Sequence, residues 1–360
     1  MPAGGWGTEG SALVRRALKI SLVTVTGAAL TLSASACGGK KADSGDGGDT
    51  KKTIKVGLAY DIGGRGDKSF NDAAYEGLQQ AKKTLNVDVK DLEATKGESD
   101  NDKQQRLDLL ASSGYNPVVA VGFAYAGPLG KVAAKYPNTK FAIVDDSSVK
   151  AANVTNLLFA ANQGSYLVGA AAALKSKSGT VGFLGGVDTP LIKSFEAGYT
   201  AGAKKANPKI KVDVKYISRG TDFSGFSDPA KGKTIAEGQY DAGADVIYHA
   251  AGASGNGLFD AAIEKKKFAI GVDSDQYLTA KPAAQPYIVT SMLKRVDTAV
   301  FNFVEDASKG TTKAGEQTFD LKNDGIGYAV SNPEAIKDVQ AKLDELKKQI
   351  IDGTITVPNS

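Results

Sequence analysis

From Ile54 onward, short apolar runs alternate with longer amphipathic stretches, and this alternation limits what the chain can become. The runs are 54–60 (IKVGLAY), 87–92, 117–122 (PVVAVG), 141–144 (FAIV), 180–184, 210–217, 244–248, 268–272 (FAIGV), 286–290 and 326–330. Helical patterns fill the gaps at 73–83, 99–112, 128–136, 164–174, 192–205, 229–239, 258–267, 294–308 and 334–350. Strands such as 141–144 are apolar at every position, as in a sheet covered on both faces. Parallel neighbours in such a sheet need a crossover helix, which explains the alternation. The pattern therefore predicts an α/β protein with two sheets of about five or six strands each, hence two lobes and a cleft between them.

In sheets of this kind a ligand lies beyond the C-terminal ends of the strands. The first run leads into a polar, glycine-rich loop carrying Asp61, Lys68, Phe70 and Asn71. The run 141–144 ends on Asp145 and Asp146, and 180–184 leads through two glycines and Asp188 to Phe195 and Glu196. His249, Gly252, Asn256, Asp273 and Asp275 follow later strands, and Lys294 opens the next helical pattern. Carboxylates, amides and aromatic rings recur at these ends, which suits a neutral polar ligand. A carboxylate can accept two sugar hydroxyls at once.

Other chemistries fit less well. The loop segment 63–69 (GGRGDKS) resembles a phosphate loop, but Asp67 stands where that motif needs glycine before its lysine. The triplet Arg65-Gly66-Asp67 also reads as an adhesion tripeptide, and the plainest reading is a tight turn before a helix. The chain lacks G-x-S-x-G and H-E-x-x-H, so only an acid/base pair among Asp61, Asp145 and Asp273 would remain for an enzyme. The single histidine, His249, reads as a hydrogen-bonded structural residue. One Cys and one His exclude a Cys/His metal site, and neither a metal nor a cofactor is expected. The formal charge of +4 is spread over interspersed charges, so no nucleic-acid partner is implied.

Residues 1–37 read as a leader rather than as part of the fold. Arg15, Arg16 and Lys19 precede an apolar stretch, 20–32, too short to span a membrane. Ala34-Ser35-Ala36 then leads to Cys37, the arrangement of a bacterial lipobox, although Ala34 stands where leucine is usual. Cleavage before Cys37 and acylation of that cysteine are expected, anchoring the protein on the outer side of the cell membrane. Arg15-Arg16 resembles a twin-arginine signal without its full consensus, and the first dozen residues are long for a leader. Residues 38–53, rich in Gly, Asp, Ser and Lys, read as a flexible tether.

Six blocks carry a resemblance: VGLAYDIGGRGDKSFNDAAYEG, FAIVDD, FEAGYTAGA, HAAGASGNGLFDAA, IGVDSDQ and TSMLKRVDTAV. Their order and spacing closely resemble those of the PnrA-like basic membrane protein family, the substrate-binding lipoproteins of ABC transporters. The resemblance spans about 54–358. It implies a type I periplasmic-binding-protein fold with two Rossmann-like lobes, a hinge and an interlobe cleft. It implies lobes at 54–160 plus 290–324 and at 161–289 plus 325–360, with crossings near 160, 290 and 325. It implies a nucleoside ligand, a purine one for preference, delivered to an ABC permease and its ATPase by a monomeric, non-enzymatic receptor. Phe70 and Phe195 match rings that stack the base, Asn71 and Asp145 match polar contacts to the base, and Asp273 and Lys294 match contacts to ribose. Gly252 would lend its backbone, and Asp61 would support the cleft. Two other readings stand beside this one: a receptor for a free sugar or small signalling molecule on the same fold, and a sensory or adhesion lipoprotein using Arg65-Gly66-Asp67.

Overall fold

The computed structural model describes residues 53–360. The expected leader, Cys37 and nearly all of the tether lie outside the described residues. Ten strands follow in order: β1 (Lys55–Ala59), β2 (Asp88–Leu92), β3 (Val118–Ala120), β4 (Phe141–Val144), β5 (Val154–Phe159), β6 (Thr180–Val187), β7 (Lys211–Ser218), β8 (Val246–Ala250), β9 (Phe268–Asp273) and β10 (Ile288–Lys294). Two short strands, β11 (Gly315–Phe319) and β12 (Ile326–Tyr328), complete the set. The first sheet has the order β11-β5-β4-β3-β1-β2 and the second β12-β10-β9-β8-β6-β7. Every pairing is parallel except β10 with β12. The two sheets thus repeat one topology, with β1–β5 answering β6–β10.

The central strands are apolar because helices cover both faces. β3, β4 and β8 are buried at every residue. On one face of the first sheet, the Phe70–Leu85 helix packs Ala74, Leu78 and Ala81 against Val300, Phe303 and Val304 of the Val296–Lys309 helix. In the second lobe the Ala161–Lys175 and Pro190–Ala206 helices approach so closely that a Cβ on Gly202 would lie 1.9 Å from the Tyr166 carbonyl oxygen. Gly169 and Gly198 serve the same contact, since a Cβ at either would lie 2.1 Å from a carbonyl oxygen of the other helix.

The chain crosses between sheets after β5, after β10 and between β11 and β12. The second crossing corrects the expected boundary at 290. Residues 290–294 remain in the second sheet, where Met292 pairs with Tyr328 and Lys294 with Ile326. Lys294 therefore ends a strand and does not open a helix. The segment Ser291–Arg295 looks amphipathic on its own, and a strand distant in sequence decides its conformation. β11 was not expected either: its polar sequence, GEQTF, alternates half-buried and exposed residues at a sheet edge.

Candidate functional site

The two sheets point their C-terminal strand ends at each other across a narrow cleft between the lobes. Asp61, Phe70, Asn71, Asp145, Phe195, Gly252, Asp273 and Lys294 all line it. So do Ile62, Phe123, Leu191, Ile192, Phe226 and Val272, which the sequence did not single out. Val272 lies near the end of β9, and the others sit on loops, short helical turns or the first turn of a helix, where no periodicity marks them.

The loop after β1 is held from within by Asp67. Its Oδ1 accepts the backbone N–H groups of Ser69 and Asp72 at 2.9 and 3.1 Å. Its Oδ2 accepts the Asn71 backbone N–H at 2.8 Å and the Asn71 side-chain amide at 3.1 Å. Asp67 thus caps the Phe70–Leu85 helix and fills the place where that helix end would hold an anion. The phosphate-loop likeness ends there. The adhesion triplet likewise lacks an available aspartate, since Asp67 is buried, while Arg65 stays exposed with its guanidinium 3.4 Å over the Tyr75 ring. Asn71 completes the lock by accepting the Asp61 backbone N–H at 2.9 Å. Its amide keeps one N–H unspent for a ligand. Phe70 and Asn71 form the first turn of this helix and face the cleft, which is why the apolar pattern in sequence starts only at Ala73.

Asp145 and Asp273 occupy equivalent places. Asp145 follows β4 and Asp273 ends β9, the fourth strand of each sheet in order of appearance, and each adopts a left-handed backbone, with φ of 64° and 65°. That kink turns the carboxylate from the sheet into the cleft; aspartate tolerates it better than most residues. Asp145 pairs with Lys294 across the lobes, and both side chains are almost fully buried. Asp146 turns away and accepts Ser148 N–H at 2.8 Å within its own loop, so Asp145 is the residue at the cleft. Asp273 accepts the Ser69 hydroxyl from the other lobe. Burial pushes its carboxyl above the ordinary range, while Lys294 and the Ser69 hydrogen bond pull it back.

The ammonium of Lys294 stands 4.7 Å from the centre of the Phe70 ring and 5.6 Å from that of Phe195. The two rings, from opposite lobes, therefore flank one point of the cleft. Further bonds tie the lobes: Ser274 Oγ donates to the Ser69 carbonyl at 3.1 Å and Asn256 donates to the Asp67 carbonyl at 3.2 Å. Phe123 and Phe223 meet edge to face at 5.5 Å across the gap. The molecule is thus in a closed arrangement. Gly252, after β8, has φ of 53°, which brings its backbone to the cleft wall beside Phe226.

Asp61 sits at the end of β1, buried, with Oδ1 accepting the Ile62 N–H at 2.8 Å. Burial raises its carboxyl to about 7. Gly122 opposite has φ of 98°, and a Cβ there would lie 2.1 Å from Asp61 Oδ2. His249 is buried in the second lobe, where Nε2 meets Gln276 Oε1 at 2.8 Å. That oxygen also accepts the Val272 N–H at 2.9 Å, so His249 carries its proton on Nε2. Its role is structural. No group of three or more metal-ligating residues occurs among the described residues.

Comparison with known proteins agrees with this geometry. The chain is 36% identical to a CD4+ T-cell-stimulating antigen of Listeria innocua, over 95% of this chain and 98% of that one. It is 35% identical to an ABC transporter nucleoside-binding protein, BmpA, of Lactococcus lactis, over 95% and 100%. A solved ABC transporter solute-binding protein from Aeropyrum pernix superposes with a TM-score of 0.74 at 30% identity, covering 85% of this chain and 94% of the other. The architecture is the type I periplasmic-binding fold. The family described as "ABC transporter substrate-binding protein PnrA-like" matches residues 54–360, and the chain belongs to that family of transporter receptors, which work with a permease and its ATPase.

Proposed function

We propose that the protein binds a nucleoside, with purine nucleosides preferred, and hands it to its permease for uptake. One observation carries this reading: two phenylalanines from opposite lobes flank one cleft whose polar wall offers carboxylates and a single ammonium. A flat base would slide between Phe70 and Phe195, and stacking on such rings contributes about 1–3 kcal/mol per base. The Asp273 carboxylate would accept ribose hydroxyls, with Lys294 donating to a ribose oxygen and Gly252 lending its backbone. Asp145 and the unspent N–H of Asn71 would meet the base edge. The Lactococcus relative, named as nucleoside-binding, supports the same ligand class.

Native mass spectrometry of the protein as purified, followed by denaturing extraction, tests this. A nucleoside released in stoichiometric amount is expected. A hexose in its place, or titrations in which guanosine, inosine and adenosine all fail to bind, would overturn the reading. We further propose that Cys37 is acylated and holds the receptor on the outer face of the membrane. Cys37→Ala would then move the protein from the membrane fraction to the medium or periplasm, and persistent membrane association of that variant would refute the anchor.

A further inference from the structure

Four carboxylates line the cleft, against one lysine. Three of them are accounted for. Asp67 is saturated by N–H donors, Asp145 has Lys294, and Asp273 has the Ser69 hydroxyl. Asp61 differs. Its Oδ2 lies in the space left by Gly122 and has no hydrogen-bond partner among the described residues. The residue as a whole is only 8% exposed.

The charges around Asp61 do not compensate it. From the Asp100–Ser112 helix, Lys103 acts on it, but Lys103 is engaged by Glu98 at 3.6 Å, as is its neighbour Arg106. Tyr125, after β3, gives its hydroxyl to the Tyr60 carbonyl at 2.8 Å and accepts from Arg106. Asp145, after β4, adds like charge, as does Glu98. From the second lobe Asp273 shares the void and Lys294 is spent on Asp145. A second unpaired anion here would cost more than a neutral acid.

We infer that Asp61 serves the cleft as a neutral carboxylic acid, donating from Oδ2 to a lone pair of the bound base, either a ring nitrogen or a carbonyl oxygen. This assignment rests on the nucleoside reading and specifies it. Asp61 supplies a donor and ion-paired Asp145 an acceptor, so the cleft favours a base edge that carries both functions. Glycine at 122 is required because any side chain there would displace the acid.

The consequence is proton uptake on binding. In the closed arrangement, burial raises the carboxyl to about 7. A ligand that needs the protonated form pulls a proton in wherever the free protein has lost it, so affinity falls as pH rises above that value. Between about pH 6 and about pH 8 the apparent Kd should weaken about tenfold. Calorimetric titration of guanosine and inosine into the full chain, in two buffers of different ionisation heat, measures the uptake directly. It should approach one proton per nucleoside at the higher pH. Asp61→Asn keeps an N–H donor but cannot titrate, so uptake should vanish and the profile should flatten. Proton release on binding, a flat profile in the native protein, or uptake that survives in Asp61→Asn would each overturn the assignment. Tight binding without proton uptake sinks this role alone. Failure of every nucleoside to bind at any pH sinks the nucleoside reading, and this role with it.

Discussion

The ion pair between Lys294 and Asp145 offers the sharpest test of how closure and binding are linked. Lys294 belongs to the second lobe and Asp145 to the first, and their side chains are only 2% and 4% exposed. Lys294→Met removes the charge and keeps much of the apolar stem between Phe70 and Phe195. Asp145 is then a buried anion without a partner, and breaking such a pair from one side costs about 3–5 kcal/mol. The open form returns Asp145 to water, so the cost falls on the closed form alone. At about 1.4 kcal/mol per factor of ten, closure becomes unfavourable by at least about a hundredfold, and ligand affinity should fall by the same factor. Calorimetric titration with guanosine or inosine reads the affinity, and small-angle scattering reads the opening as a larger radius of gyration. Asp145→Asn in the Lys294→Met background removes the stranded charge and should restore the compact scattering profile. A Lys294→Met protein that stays compact and binds within threefold of the native value would refute the reasoning.

Four further outcomes follow from the geometry. Asp273→Asn keeps a residue suited to φ of 65° and a partner for Ser69, so thermal stability should hold while nucleoside affinity drops at least about tenfold, in titration and melting curves. Phe195→Ala should weaken binding about fivefold to 150-fold, matching the loss of about 1–3 kcal/mol of stacking, and Phe70→Ala should do the same from the other lobe. Asp67→Ala strips the cap from the Phe70–Leu85 helix and should destabilise the protein by about 2 kcal/mol in urea unfolding, since several N–H groups lose their acceptor. The pH dependence of stability should show opposed contributions, His249 on one side and the buried carboxyls Asp61, Asp67 and Asp273 on the other. Burial lowers His249 to about 4, so its contribution is lost as pH falls from about 6.5 toward 4, because the unfolded chain binds the extra proton. Burial raises Asp61 to about 7, so its contribution is lost as pH rises from about 4 toward 7. Urea unfolding of Asp61→Asn across this range should remove the Asp61 contribution and shift the slope of stability against pH toward positive values, with buried Asp67, raised to about 6, still opposing His249.

Two of the cleft residues stand at the end of a run that is apolar throughout. Asp145 after FAIV and Asp273 after FAIGV are polar residues at sharp boundaries, and a parallel sheet turns such boundaries into one ligand-facing rim. Phe70 stood out as an aromatic ring in a polar loop. Lys294 was recognised as a site residue, but its setting was misread. The stretch Ser291–Arg295 has no strong local preference, and its pairing with β12 comes from residues more than thirty positions away. The same reason hid β11, an edge strand with polar residues at alternate positions. Phe226 and Phe123 were missed because an isolated aromatic on a short turn has no pattern around it. Asp67 was noticed only as an obstacle to phosphate. An aspartate two residues before Ser69, at the start of a helix, was a capping signal that could have been read.

The three crossings between sheets have a consequence for how the polypeptide acquires its shape. The first sheet receives its outer strand, β11, and the helix over its Ala74–Leu78 face only from residues 296–319, after all five parallel strands of the second sheet have passed. A chain synthesised N-terminus first must therefore leave that apolar face uncovered while some 140 intervening residues arrive, as the span from 160 to 295 shows. Neither half can mature by itself, and a truncation ending after β10 should yield an aggregating fragment and not an isolated lobe.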